Sequence, residues 1–382
     1  MTESFNKDCA IKQLQDIKPV ANIPKRILFI KSSSLGDIFH ALPAFYLLSA
    51  ACPGCKIDWL VNTNFAPVLE YVKKDLNNLI YFDREAIRTA GALKGIVKLI
   101  KSIRKERYDL VIDVQGLIRS SLMTFVARAG RKAGFAVPRE KLSTLFYNQK
   151  IKIPEELQHA IEKNTFLVSK ILNMQHIVPD YVVPPVEKYK NGALKVLKEN
   201  NVDPTGYIAF APGTRWVTKC WPTQFFAAVA DAINTVYPKL NIVLVGAASD
   251  NEIADEIISK CKVSKPVSLT GKSNLCVLVE VLRGAGVLLT NDSGPMHIAA
   301  SLRVPVFALF GPTAPEKTGP FWQWHKIYQN DKGCIKCFKR ECKKETLECQ
   351  QYILPEKVAA DIVNKYKTLK PPVSHSSQSG SG

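Results

Sequence analysis

The chain has 382 residues, 46% hydrophobic and 23% charged, the balance of an ordinary globular protein and enough length for two domains with their own cores. No apolar run approaches the ~20 residues a membrane-spanning helix needs, and the polar start Met1-Thr2-Glu3-Ser4 is no signal peptide, so a cytoplasmic protein is expected. The net charge of +18 suits a polyanionic partner or a merely lysine-rich surface, and the absence of any helix-turn-helix, zinc-finger or RNA-binding signature weighs against nucleic acid.

Residues 1–24 are polar and end at Pro24, which predicts a mobile N-terminal extension. Apolar runs at 27–30, 57–61, 79–82, 110–114 and 133–137 read as buried strands, and helical periods fall at 38–50, 94–105 and 118–129. This alternation predicts a parallel sheet covered on both faces, in a first domain spanning 25–180. The Pro-rich stretch 178–185 is the expected linker. In the second domain, 181–353, strands are expected at 207–210, 241–245, 267–269, 287–289 and 306–309, with helices at 223–236, 251–260, 275–283 and 295–302. A final helix covers 354–369, and the Ser- and Gly-rich tail 370–382 is expected to be disordered.

Two strand–loop–helix turns carry the chemistry. Lys31-Ser32-Ser33-Ser34-Leu35-Gly36-Asp37 follows the first strand and sets a carboxylate where ligands of open α/β sheets bind; as the residue before Ile38, Asp37 also suits a helix N-cap. Thr290-Asn291-Asp292-Ser293-Gly294-Pro295-Met296-His297 has the same form. Free N–H groups at Ser293, Gly294 and Met296 would face a diphosphate there, although such caps are common without one. Lys219, in Thr214-Arg215-Trp216-Val217-Thr218-Lys219-Cys220-Trp221-Pro222, could be a solvated loop charge or a phosphate ligand.

These runs, with Pro212-Gly213-Thr214-Arg215, resemble the lipopolysaccharide heptosyltransferase family, glycosyltransferase family 9, over about residues 25–365. The run 33–44 is most similar to members that add the first heptose to Kdo. The resemblance implies a GT-B fold: two doubly wound Rossmann-like domains facing a cleft, acceptor side first and nucleotide-sugar side second, with the last helix returning to the first domain. It implies inverting, metal-independent transfer of heptose from ADP-L-glycero-D-manno-heptose to a Kdo residue of the lipid A-linked inner core. The partners are then ADP-heptose, Kdo-lipid A and the inner face of the cytoplasmic membrane, bound peripherally, with no required cofactor and no nucleic acid.

Carried onto this sequence, the resemblance makes Asp37 the catalytic base and Lys219 its partner in catalysis. Thr214, Lys219, Glu252, Asp292, Ser293, Gly294, Met296 and His297 fall on the donor side, with Asp250 an alternative to Glu252 as the ribose ligand. Lys31, Ser34, Gly36, Gln115, Arg119 and Arg139 fall on the acceptor side, with Arg131 a weaker candidate. The element 159–164 is expected to be mainly structural. Other readings are a heptosyltransferase acting on a later core heptose or a protein acceptor, or a nucleotide-sugar-binding protein without turnover.

Ten cysteines include the group Cys334, Cys337, Cys342 and Cys349, readable as a structural metal site, as two disulfides or as reduced thiols. Cys52-Pro53-Gly54-Cys55 reads most simply as a turn.

Overall fold

Continuous apolar runs, which fit strands buried on both faces, form the centres of two parallel sheets. A computed structural model describes residues 17–86, 92–330, 334–344 and 346–369. Residues 1–16 of the expected mobile extension and the expected disordered tail 370–382 lie outside the described residues. The chain divides into two compact units: one runs to Lys190 and takes in Ala300–Arg303 and Ala314–Phe321, and the other holds the remainder.

In the first unit β1 (Arg26–Ile30), β2 (Lys56–Asn62), β3 (Asn78–Phe82), β4 (Arg107–Asp113), β5 (Arg128–Phe135) and β6 (Gln149–Ile151) pair in the order β3-β2-β1-β4-β5-β6, every pair parallel. In the second, β7 (Tyr207–Ala211), β8 (Asn241–Leu244), β9 (Val267–Ser268), β10 (Val287–Asn291), β11 (Val306–Phe310) and β12 (Lys326–Gln329) repeat the same winding as β12-β11-β10-β7-β8-β9. Both sheets are doubly wound α/β. Strand order reverses between β1 and β4 and again between β7 and β10, and the crevice past the carboxyl ends of such strands is where open sheets bind ligands. Among the described residues no helix is long and apolar enough to cross a membrane.

The expected strands and helices are found, with some differences; the helix Glu187–Glu199 was not among those expected. Strands β6 and β12 escaped the sequence because they are short, partly exposed edges without an apolar run. The helix expected to 129 stops at Val126, and Arg128 already pairs with Arg107 of β4, so sheet pairing overrides the helical propensity of the alanines. The expected linker is partly packed into the first unit: the Tyr181 ring lies tilted against Tyr46 with centroids 4.0 Å apart, Val183 is fully buried, and Asp180 pairs with Arg303.

The last helix, Pro355–Leu369, belongs to the second unit. Its buried residues Val358, Ala359, Ile362 and Tyr366 join the core of the second unit, beside Phe226, Val229 and Ile233 of the helix Thr223–Val236.

Not every buried carboxylate is available for function. Asp58 receives Arg26 through two nitrogens at 3.1 and 3.0 Å, the Tyr108 hydroxyl at 3.0 Å and the Asn77 amide at 2.6 Å, which satisfies it as a structural brace for strands β1, β2 and β4.

Candidate active site

Beyond β1, the helix Leu35–Ala51 starts one turn earlier than its apolar period suggests, with Ser34 as N-cap. Asp37 is therefore not the N-cap but the third helical residue, and its Oδ2 accepts from the Ser34 N–H and the Ser34 hydroxyl, both at 2.8 Å. Its side chain stays 40% exposed and Oδ1 lies 3.8 Å from the Lys31 ammonium. A carboxylate positioned at a strand end and still accessible is suited to accept a proton.

Lys31 is buried because it crosses to β4, donating to the Val114 carbonyl at 3.1 Å. Gln115 ties the same two loops together by accepting from the Ser32 and Ser33 N–H groups at 3.2 Å each. Gly116 turns the chain with φ of +65°, and both Gln115 and Gly116 donate their N–H to Asp113 Oδ1. Lys31, Ser34, Gly36, Asp37 and Gln115 thus share the switch point of the first sheet. Arg119, farther along, lies over the Phe82 ring at 5.2 Å, whereas Arg139 is exposed on the segment whose Pro138 and Glu140 meet Gly116. Arg131 is also apart, donating to the Ile171 carbonyl at 3.0 Å. The element 159–164 is a helix start: the His159 N–H bonds Glu162 and its Nδ1 accepts from the Ile161 N–H.

Burial pushes Asp113 above the usual carboxylate range, against the Tyr147 hydroxyl, which donates to Oδ2 at 2.7 Å and favours the charged form. Tyr147→Phe removes one donor from a buried carboxylate and is expected to cost about 1–3 kcal/mol at neutral pH. Because the lost bond favours the ionised state, the cost shrinks as falling pH protonates Asp113 in the folded protein. Urea unfolding of both proteins at neutral and mildly acidic pH measures this, and a cost independent of pH would contradict it.

At the switch point of the second sheet the side chains converge more tightly. Asn291 of β10 donates to the Pro212 carbonyl at 2.6 Å and accepts from the Trp221 N–H at 3.2 Å, fixing both ends of the loop after β7. That places the Lys219 ammonium 2.6 Å from Asp292 Oδ2, with side chains 16% and 7% exposed. Thr313 donates to the same oxygen at 2.7 Å, and the Thr214 hydroxyl reaches the Asp292 carbonyl at 3.5 Å. Lys219 and Arg340 both lie over the Trp216 ring, at 4.7 and 5.3 Å.

The helix Gly294–Ser301 begins immediately after Ser293, whose hydroxyl is 3.2 Å from that of Thr290. Its first N–H groups and positive dipole end therefore adjoin Lys219 and Asp292, an arrangement made for an anion. Met296 is fully buried, so only its backbone could contribute, and His297 is half-buried. Asp250 fills the space that a Cβ on Gly213 or Gly246 would need, and accepts from the Ala247 N–H at 2.8 Å. Glu252 is exposed and is not drawn into this group.

Thr313, Asn291 and Trp216 were not foreseen. Gly311-Pro312-Thr313 follows a buried strand, a signal for another strand-end loop, but nothing local says that its hydroxyl meets Asp292.

Cys334, Cys337, Cys342 and Cys349 are free thiols. Burial, and then the neighbouring Cys334, Cys337 and Cys342, push Cys349 up to about 11. Among the described residues no three ligating side chains are arranged to hold a metal. The Cys52 and Cys55 thiols are pushed up by burial to about 11 and 12, against a reactive role, and Gly54 turns there with φ of +77°.

The model of glycosyltransferase family 9 (heptosyltransferase) matches residues 96–348. Lipopolysaccharide heptosyltransferase 1 of Pseudomonas aeruginosa is 29% identical over 360 residues, covering 88% of this chain and 97% of that protein. The structure of the E. coli heptosyltransferase WaaC with ADP superposes with a TM-score of 0.70 at 26% identity, over 89% of this chain and 99% of that one. A family 9 glycosyltransferase from Veillonella parvula has the same fold, with a TM-score of 0.77 at 21% identity over 92% and 100% of the two chains.

Proposed function

Since the chain belongs to glycosyltransferase family 9, the heptosyltransferases, we propose that it moves heptose from ADP-L-glycero-D-manno-heptose to a Kdo residue of the lipid A-linked inner core, with inversion and without a metal ion. The observation that carries this reading is the Lys219 ammonium, held 2.6 Å from Asp292 beside the start of the helix Gly294–Ser301. The similarity to lipopolysaccharide heptosyltransferase 1, and to a heptosyltransferase structure solved with ADP, supports the choice of donor and pathway.

In this reading Asp37 takes the proton of the acceptor hydroxyl as its oxygen attacks the anomeric carbon. The bond from that carbon to the diphosphate oxygen breaks on the opposite face, and its electron pair leaves with ADP. Lys219 and the N–H groups of Gly294 and Met296 take up the charge on the departing diphosphate, which is the service a metal ion would otherwise supply. Asp292 and Thr313 hold Lys219 in place; Thr214, Ser293 and His297 complete the donor side. Glu252, exposed at the start of its helix, is the carboxylate of this segment offered to ribose hydroxyls. Lys31, Ser34, Gly36 and Gln115 shape the acceptor side, and Arg119 and Arg139 are its outlying cations for a Kdo carboxylate or lipid phosphate. The protein then works at the inner face of the cytoplasmic membrane, where a lipid-linked acceptor resides.

Mass spectrometry of deacylated Kdo-lipid A, incubated with ADP-heptose and the enzyme with and without chelator, tests the reading. One added heptose in both samples is expected. Addition only to an acceptor that already carries heptose would move the assignment to a later core position, and loss of addition with chelator would overturn the metal-free mechanism.

A further inference from the structure

Three neighbouring elements of the first unit leave large apolar side chains in water. The helix Ala92–Arg104 packs inward through Ile103 and Leu99, yet Leu93, Ile96 and Val97 are 75%, 38% and 41% exposed and follow one another at helical spacing. Beside it the helix Ile118–Val126 exposes Phe125, and the short helical turn Lys141–Phe146 packed on that helix exposes Leu142 and Leu145. Phe125 and Phe146 meet edge to face at 5.5 Å, so the last two elements form one surface. Apolar residues scattered singly need no explanation, but six on contiguous elements do.

The segment that carries them is mostly basic, although Asp83 and Glu85 stand in the turn whose Ala86 lies against Gly95 of the helix Ala92–Arg104. Between residues 92 and 152 there are fourteen lysines and arginines against four acids. All four acids are engaged: Asp113 is buried, Glu106 pairs with Arg26, Asp109 accepts the Arg26 N–H, and Glu140 accepts the Ile118 N–H. Lys94, Lys98 and Lys101 alternate with the exposed apolar residues and have no ion-pair partner among the described residues. Lys132 sits over the Phe125 ring at 5.5 Å, with Arg104 near enough to lower its basicity further after burial.

We propose that this face docks on an anionic phospholipid bilayer, with Leu93, Val97, Phe125, Leu142 and Leu145 entering the boundary between headgroups and acyl chains and the interleaved lysines lying on lipid phosphates. A basic amphipathic helix with its apolar stripe uncovered is the form that lies in a membrane interface. Nucleic acid would account for the lysines but not for the leucines. A protein interface would centre on a patch depleted of lysine, the reverse of this pattern. The inference deepens the proposed function, since the helix Ile118–Val126 opens from the acceptor-side loop of Gln115 and a docked face would hold that loop near lipid-linked acceptor. The binding itself stands on this surface alone.

The test is co-sedimentation of the full chain with vesicles of phosphatidylglycerol and phosphatidylethanolamine, and with vesicles of phosphatidylcholine alone, in the absence of either substrate. Binding to the anionic vesicles only is expected, weakening as salt rises. The triple variant Lys94→Glu/Lys98→Glu/Lys101→Glu should lower the partition coefficient by about 100-fold, and Leu93→Ser/Val97→Ser by about tenfold. All five positions are exposed, so both variants should keep the parent melting temperature and the parent rate on a deacylated acceptor. Absent binding by the parent chain, or equal binding by both variants, would overturn the proposal. So would a lysine variant that loses only duplex DNA, or an apolar variant that only changes the oligomeric state. A protein that docks but transfers nothing would retain this inference and lose the transferase reading.

Discussion

Asp37→Asn is expected to lower kcat by about 1,000-fold while affinity for ADP, measured by calorimetry, is unchanged. General-base catalysis commonly contributes factors of about 10²–10⁴. The asparagine amide oxygen can still accept from the Ser34 N–H, so the helix Leu35–Ala51 keeps most of its start and loses at most ~1 kcal/mol. A thousandfold rate loss corresponds to about 4 kcal/mol of barrier, too much to arise from that capping loss in a protein that still melts cooperatively near the parent temperature. Near-normal turnover would leave Asp37 only its place in the capping box, and the base would have to be sought elsewhere around the switch point of the first sheet.

The second large effect is at Lys219. Lys219→Met leaves Asp292 buried with Thr313 as its remaining side-chain donor among the described residues. Removing one member of a buried pair costs about 3 kcal/mol or more, so the melting temperature should fall. Affinity for ADP should fall about 100-fold as well, because the ammonium that meets the diphosphate is gone. These two losses have different origins and can be separated. In Lys219→Met/Asp292→Asn the stranded charge is removed, and stability should largely return while ADP binding does not. If ADP affinity returned along with stability, Lys219 would be a brace for the loop and its proposed contact with the diphosphate would be wrong.

Much of the architecture was open to inspection in the linear pattern. The runs at 27–30, 207–210 and 287–289 form the continuous apolar centres of β1, β7 and β10 because a parallel strand covered on both faces has no polar side to interrupt it. The helices Thr223–Val236 and Asn251–Lys260 fall where their apolar periods and flanking Pro and Asp place them. Edge strands β6 and β12 lack that pattern, since an edge in partial contact with water needs no continuous apolar run. The start of the first helix was misplaced because Ser34 and Asp37 are both capping residues, and local preference alone does not rank a reciprocal capping box above a single N-cap.

The candidate site divides in the same way. Each loop was visible as a strand end followed by a helix start, and the residue types in it, a carboxylate at 37, an ammonium at 219 and a Ser-Gly-Pro helix start at 293–295, were legible one by one. Their partners were not. Gln115 reaches Ser32 and Ser33 across more than eighty residues of chain, Lys219 meets Asp292 across seventy-three, and Thr313 joins them from a third strand end. Asp250, rather than Glu252, is the carboxylate that fills the space left by Gly213 and Gly246.

By itself the sequence determined the alternation of strands and helices, the loops able to carry chemistry and the excess of positive charge, all of which depend on neighbours a few residues apart. Only the tertiary structure decided which loops lie together, which carboxylates are satisfied as braces, that the last helix completes the second unit's core, and that the apolar stripe at Leu93 stays uncovered. Those outcomes depend on strand order, because β1 against β4 and β7 against β10 bring together loops distant in the chain. The entropy of closing such long loops is offset by burial of whole sheets and not by any residue within the loops themselves.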